Sequence, residues 1–289
     1  MQQTRVAQGY EYFLRFIKRF PDVQTLADAD EDEVMKYWQG LGYYSRVRNL
    51  HAAAKSMNGI FPSTYQGVLN LKGVGEYTAA AICSISYGMP YAVVDGNVYR
   101  VLSRYFGIDT PIDSTEGKKI FKELAQELID KERPALYNQA VMEFGALQCT
   151  PATPDCTSCP IADGCLALAN NMIKQLPVKQ HKTKVTNRYF NYIYVRAGEY
   201  TFIRKRTGND IWKNLFELPL IETQEQVSEE KLYSLPEFQS LVGKGDDVSI
   251  KLLLANVKHV LSHRVIYANF YCLDLPEYRT LPDGYIKVR

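Results

Sequence analysis

Leu71-Lys72-Gly73-Val74-Gly75-Glu76-Tyr77-Thr78-Ala79-Ala80-Ala81-Ile82 sets two glycines, one residue apart, directly before a run of small and apolar residues. Glycine makes a tight turn at little steric cost, and a helix starting at Glu76 would point its first N–H groups back at that turn. Such a turn can take an anion, because no Cβ obstructs a phosphate oxygen and the helix dipole attracts it. A plain helix–helix turn reads the same way. The run TAAAICSISY ends at Gly88, a suitable residue for terminating a helix. Beyond it, Val94-Asp95-Gly96-Asn97-Val98 opens another helix, with Asp95 as an N-cap and Val98, Val101, Leu102 and Tyr105 on one face. On the N-terminal side, Ser63 and Thr64 can cap a short helix, and Asp30-x-x-Glu33 resembles a capping box for a helix through Trp38. Residues 1–170 therefore read as an all-α domain.

Cys149, Cys156, Cys159 and Cys165 form a C-x6-C-x2-C-x5-C run. Four soft thiolates so close in sequence can converge on one metal centre. Only Cys83 and Cys272 remain in this 289-residue chain, so a disulfide framework of the small secreted kind is a poor fit. Zinc is the stronger rival to an iron–sulfur cluster, although its usual sites pair two C-x2-C knuckles and only one occurs here.

After residue 188 the texture changes to β-branched and aromatic runs, YFNYIYVRA, EYTFIRKR and VIYANFYCLDL, broken by Gly, Asn, Asp and Pro. An α+β domain is expected over 189–289, joined to the first by a basic linker at 171–188. From Lys174 to Arg196 there are six basic residues and no acid, either a solvated linker or a strap lying along phosphates. The net charge of +2 does not by itself point to nucleic acid. With 46% apolar and 23% charged residues the composition is that of an ordinary soluble protein. No stretch approaches the roughly 18 uninterrupted apolar residues of a membrane span.

The hairpin turn, then Asp95, then the cysteine run, in this order and spacing, resemble the helix–hairpin–helix DNA glycosylase superfamily. Within it the chain looks like the MutY-type adenine DNA glycosylases. The match is carried by MQQTRV at the start, GLGYYSR at 40–46, LKGVGEYTAAAI at 71–82, VDGNVYRV at 94–101 and the cysteines. The resemblance implies excision of adenine opposite 8-oxoguanine or guanine in double-stranded DNA, in base excision repair. It also implies a [4Fe–4S] cluster on the loop 149–165, bound by Cys149, Cys156, Cys159 and Cys165. A monomer is expected, acting without a membrane in the bacterial cytoplasm, at the nucleoid. Asp95 matches the catalytic carboxylate, and Tyr77 and Asn97 match the positions that orient it. Gly73, Val74 and Gly75 match the DNA-binding hairpin. Gln3, Thr4, Arg5 and Tyr43 match residues that grip DNA and probe the lesion. Endonuclease III-type glycosylase/lyases carry a lysine where this chain has Tyr77, and that lysine attacks the sugar. Its absence implies a monofunctional enzyme using water. Each residue also has a plainer reading: Asp95 as a simple N-cap, Tyr77 as one of 21 tyrosines, Tyr43 as core packing.

Two departures stand out. The family's general acid is a glutamate three residues before the leucine of a Leu-Gln-Gln-Thr motif, and here Met1 holds the leucine position. The acid is thus expected upstream of this sequence, as in a truncated gene model; without it the chain would be severely impaired. The second departure lies in the C-terminal domain, which resembles the family's Nudix-like domain through WKNLFELP at 212–219 but carries no Nudix metal-binding signature. Leu261-Ser262-His263 matches a Phe-Ser-His loop that reads 8-oxoguanine, which makes Ser262 and His263 candidate lesion contacts; a plain strand-end surface is the alternative. Two competing functions stay open: a catalytically impaired lesion-binding protein and a bifunctional endonuclease III-type glycosylase/lyase.

Overall fold

A computed structural model describes residues 6–181, 185–242, 249–261, 263–278 and 280–289. Gln3, Thr4, Arg5 and Ser262 lie outside these described residues. The chain divides into two compact units, Met1–Lys182 and Thr183–Arg289. Among the described residues, no helix is long and apolar enough to cross a membrane.

The first unit is helical: α1 (Val6–Arg19), α2 (Val23–Asp28), α3 (Glu31–Trp38), α4 (Tyr44–Ser56), α5 (Tyr65–Leu69), α6 (Glu76–Tyr87), α7 (Gly96–Tyr105), α8 (Thr115–Leu128), α9 (Pro134–Leu147) and α10 (Leu166–Ala169). Local chemistry sets several of these boundaries. Asp22, Asp30, Thr64, Asp95 and Ser114 each accept a first-turn N–H as N-caps, and Gly88 ends α6 at φ 65° in the left-handed region. Burial then fixes the packing. Ala80, Val93, Val98, Leu102, Phe121 and Ala125 form one core, which draws in Tyr77, Val94 and Val141 from its edge. A second, smaller core joins α5 to α6 through Val68, Ala79 and Cys83.

Asn138 on α9 is the buried polar fastener between these helices. It is 2% exposed, accepts the Val93 N–H at 3.1 Å, and donates to Ser84 Oγ at 3.0 Å and Tyr91 O at 2.9 Å. The extended segment leading into Asp95 is thereby bonded to α9.

The expected basic linker at 171–188 is corrected by the structure. Leu176 is buried, its carbonyl accepts from Arg104 Nε at 3.0 Å, and Val178 O accepts from the Ile112 N–H at 3.0 Å. The N–H groups of Gln180 and His181 donate to Asp113 at 2.7 and 2.8 Å, which holds that carboxyl below its usual range. Residues 171–181 thus belong to the first unit, with backbone groups bonded to protein instead of water. At the other end Thr186 already starts β1, and its Arg188 and Arg196 pair with Asp210, Glu222 and Asp274. A phosphate strap is not what those two arginines form, because acids distant in sequence neutralise them.

The second unit is α+β: β1 (Thr186–Arg196), β2 (Thr201–Lys205), β3 (Phe216–Glu217), β4 (Leu220–Thr223), α11 (Glu229–Ser234), α12 (Pro236–Val242), β5 (Ser249–Val260), β6 (Arg264–Asp274) and β7 (Ile286–Val288). One sheet runs β4-β1-β6-β5 and the other β3-β2-β7. β1 and β6 are parallel, in register from Thr186 opposite Arg264 to Arg196 opposite Asp274, while β4 and β5 add antiparallel edges. Alternation along β1 separates two cores. Ile193 and Val195 pack with Leu232, Phe238 and Leu241 of α11 and α12. On the opposite face, Phe190 packs with Ile266, Ala268 and Trp212. Neither the two helices nor β5 was evident from the β-branched runs.

Replacing Asn138 with alanine leaves the Val93 N–H and the Tyr91 carbonyl buried without partners. We expect a loss of about 2–4 kcal/mol in the unfolding free energy of the first unit, measured by chemical denaturation.

Candidate active site and cysteine cavity

The turn before α6 has the predicted form. Gly73 sits at φ 77°, the Val74 N–H closes onto Leu71 O at 3.1 Å, and Gly75 is the N-cap of α6 with no side chain. Asn49 of α4 packs where a Gly73 Cβ would stand, whereas nothing lies within 4 Å of that position at Gly75. Gly73 is therefore required by both its conformation and its neighbour, and Gly75 leaves its approach open.

Asp95 caps α7. Its Oδ1 accepts the N–H groups of Asn97 and Val98, both at 2.9 Å, and its Oδ2 accepts Asn97 Nδ2 at 3.1 Å. Three donors hold the half-buried carboxylate in one orientation at the positive end of the helix. Asn97 is fixed in turn: its Oδ1 accepts Arg100 Nη2 at 2.8 Å. Arg100, buried, also donates through Nε to Cys149 O at 2.7 Å and through Nη2 to Gly145 O. A continuous hydrogen-bonded path thus joins Asp95 to the backbone of the first cysteine. Tyr77 stands one turn into α6, packed at the edge of the same apolar core as Val94, with its hydroxyl reaching Met142 Sδ at 3.5 Å. Tyr43 is half exposed at φ 49°, the N-cap of α4, with the Arg46 guanidinium 4.6 Å over its ring. Core packing is therefore not what Tyr43 does. His263 is exposed in the turn between β5 and β6.

All six cysteines are free. Cys149, Cys156, Cys159 and Cys165 line one cavity together with Val101, Arg104, Tyr105 and Phe144. Among the described residues, no three His, Cys, Asp or Glu side chains are grouped closely enough to hold a single metal ion. Burial pushes the Cys156 thiol up, and the other three sulfurs add to the shift, so the four act on one another. Arg104, 2% exposed, donates to Cys149 Sγ at 3.4 Å, Thr150 O at 2.8 Å and Pro151 O at 2.9 Å. Neither Arg100 nor Arg104 meets a carboxylate among the described residues. Burial lowers the Arg100 pKa; nearby Arg104 adds to this, while Cys149 and Asp95 oppose it. Thr150 Oγ1 is also buried without a partner. The loop itself is knit by Asp155, whose carboxylate accepts from Ser158 and Thr157 and is lowered to about 2.

Arg100, Arg104 and Gly145 were not singled out in the sequence. The signal was present for the arginines, since two cations spaced i, i+4 fall among the buried positions of α7 and must find partners there.

An adenine DNA glycosylase of Buchnera aphidicola subsp. Baizongia pistaciae is 33% identical over 276 residues, 93% of this chain and 75% of that protein. The chain belongs to the adenine DNA glycosylase family. Residues 1–130 also match the model of the HhH-GPD superfamily of base excision DNA repair proteins, consistent with that membership. The human adenine DNA glycosylase is 44% identical over 172 residues, 58% of this chain and 32% of that one. Among solved structures, a thermostable thymine-DNA glycosylase superposes with a TM-score of 0.54 at 26% identity, over 58% of this chain and 80% of that chain. Adenine DNA glycosylases are hydrolases of N-glycosyl bonds, and in this member the hairpin turn and Asp95 open two successive helices, α6 and α7, of a common core.

A Cβ on Gly145 would fall 2.7 Å from Asn97 Cβ. Gly145→Ala should therefore displace Asn97, and with it Asp95, while leaving the hairpin untouched. We expect the single-turnover excision rate to fall about tenfold or more with duplex affinity nearly unchanged.

Proposed function

We propose that the protein excises adenine from 8-oxoguanine:A and G:A mispairs by hydrolysis, without cutting the strand. The carrying observation is the Asp95 carboxylate, oriented by Asn97 at the start of α7, with an open glycine turn starting α6 of the same core. Gly73-Val74-Gly75 holds a DNA phosphate through the backbone at the start of α6. The nucleotide is extruded, because the bond cannot be reached inside a duplex. As the glycosidic bond breaks, positive charge builds on the sugar and the fixed carboxylate offsets it. Adenine departs protonated, the acid being the glutamate that the resemblance sets upstream of Met1, and water completes the hydrolysis at the sugar. Tyr77 offers no amine nucleophile at that position, so strand cleavage through a Schiff base there is not part of the reaction.

Gln3, Thr4, Arg5 and Tyr43 probe the opened base pair, a role that the exposed Tyr43 ring suits. The second unit acts as a Nudix-like reader, with Ser262 and His263 on the 8-oxoguanine. Its expected range, 189–289, is extended here to begin with β1. The enzyme works as a monomer on bacterial DNA in the cytoplasm.

Cys149, Cys156, Cys159 and Cys165 would hold a [4Fe–4S] cluster. The donor set fits: four thiols ring one cavity, with the buried Arg104 to offset anionic ligands and an orphaned Thr150 hydroxyl beside them. Bound there, the cluster would cross-link the loop and supply a redox-active centre; the residues of the hydrolysis do not include it.

Anaerobically prepared protein should contain about one cluster, with iron and sulfide in equal amounts and broad absorption near ~410 nm. Stoichiometric zinc without sulfide would overturn the assignment. In a chain carrying the upstream glutamate, adenine should be released with no strand nick; covalent trapping by borohydride would show the lyase chemistry instead. Asp95→Asn should retain duplex binding and lose most turnover, about 10²-fold or more.

A further inference from the structure

We propose that the β2–β3 connection, residues 206–215, is the positioning element for His263 in the lesion-reading turn between β5 and β6, with Asp210 as its decisive residue. The inference rests on the proposed role of that turn. Three guanidiniums converge on the one carboxylate of Asp210: Arg264 Nη1 at 2.5 Å, Arg188 Nη1 at 2.7 Å and Arg206 Nη2 at 3.1 Å. Arg264 directly follows His263 and is the first residue of β6, and its carbonyl accepts the Leu261 N–H at 2.8 Å to close the turn. The His263 carbonyl is itself held by the Thr186 N–H at 3.1 Å. On the other leg, His259 of β5 lies with its ring 5.8 Å from that of Trp212. Both legs of the turn therefore lean on one short connection, through Asp210 to β6 and through Trp212 to β5.

That connection is built to be stiff. Trp212 sits at φ 57°, which a bulky side chain adopts only when its surroundings impose it, and Asn214 at 65°, which asparagine tolerates. Arg206 imposes it here: its N–H donates to Leu215 O at 2.9 Å, its carbonyl accepts from Asn214 at 2.7 Å, its Nε donates to Ile211 O at 3.0 Å, and its guanidinium lies 6.0 Å from the Trp212 ring centre. Glu217 of β3 accepts from Arg206 in turn. His263 thus stands next to Arg264, whose guanidinium is held by the Asp210 carboxylate. Loss of that support changes where His263 stands, in a unit separate from that of α6 and α7.

The test compares the preference for 8-oxoguanine:A over G:A duplexes, as a ratio of dissociation constants for the 289-residue chain and of single-turnover rates for the chain carrying the upstream glutamate. Asp210→Asn should lower that ratio about tenfold, the worth of a lost charged contact, with G:A binding and excision nearly unchanged. Arg264→Met, which leaves Asp210 with two arginines, should give the same loss. In the Arg264→Met background, Asp210→Asn should add little, because both act through one contact. Glu222→Gln, which touches only Arg188 of the three, should leave the ratio intact. A preference unchanged in both Asp210→Asn and Arg264→Met, whatever the effect on melting, overturns the proposal if Ser262→Ala with His263→Ala does lower the ratio. If that double substitution leaves the ratio unchanged, it is the reading of the turn itself that falls, and this inference falls with it.

Discussion

A guanidinium shut away from water organises the first unit. Arg100 is 8% exposed, and every hydrogen bond it makes goes to a group the site depends on: the Asn97 amide, and the carbonyls of Gly96, Gly145 and Cys149. Leaving such a charge buried without partners would cost several kcal/mol, so α7, α9 and the start of the cysteine loop must come together for the helical core to form at all. Once they do, Asn97 has one orientation available, and Asp95 inherits it. The carboxylate is preorganised by the same bonds that close the fold.

Arg104, one turn further along α7, repeats the logic at the cysteine cavity. It ties Leu176, Thr150 and Pro151 by their carbonyls and touches Cys149 Sγ. Two buried cations near four thiols, and no carboxylate on either among the described residues, make an environment suited to an anionic centre. The segment after α10 is drawn into the unit by the same side chain, which is why 171–181 packs against helices although its composition is that of a linker.

In the second unit the organising charge is reversed in sign: the partly buried Asp210 gathers three arginines from β1, β2–β3 and β6. The first unit thus places a carboxylate at a helix start by burying a cation, and the second ties β1, the β2–β3 connection and the start of β6 together through one partly buried anion. Both devices turn electrostatic necessity into geometry.

The sequence by itself determined the local elements and the family: Asp30, Thr64 and Asp95 as caps, Gly73 at positive φ, Gly88 as a terminator, and the β-branched runs that became β1, β2 and β6. These are consequences of short-range sterics and hydrogen bonding, which residues a few positions apart decide. The glycine turn, Asp95 and the cysteines were also legible as a set, because their spacing along the chain is itself the motif. What only the tertiary structure decided is who answers the buried charges. Arg100 finds Cys149 across 49 positions, Arg104 finds Leu176 across 72 and Arg264 finds Asp210 across 54. No periodicity or propensity encodes such pairs, since a buried guanidinium specifies that a partner must exist, while the packing of distant helices and strands selects which one it is.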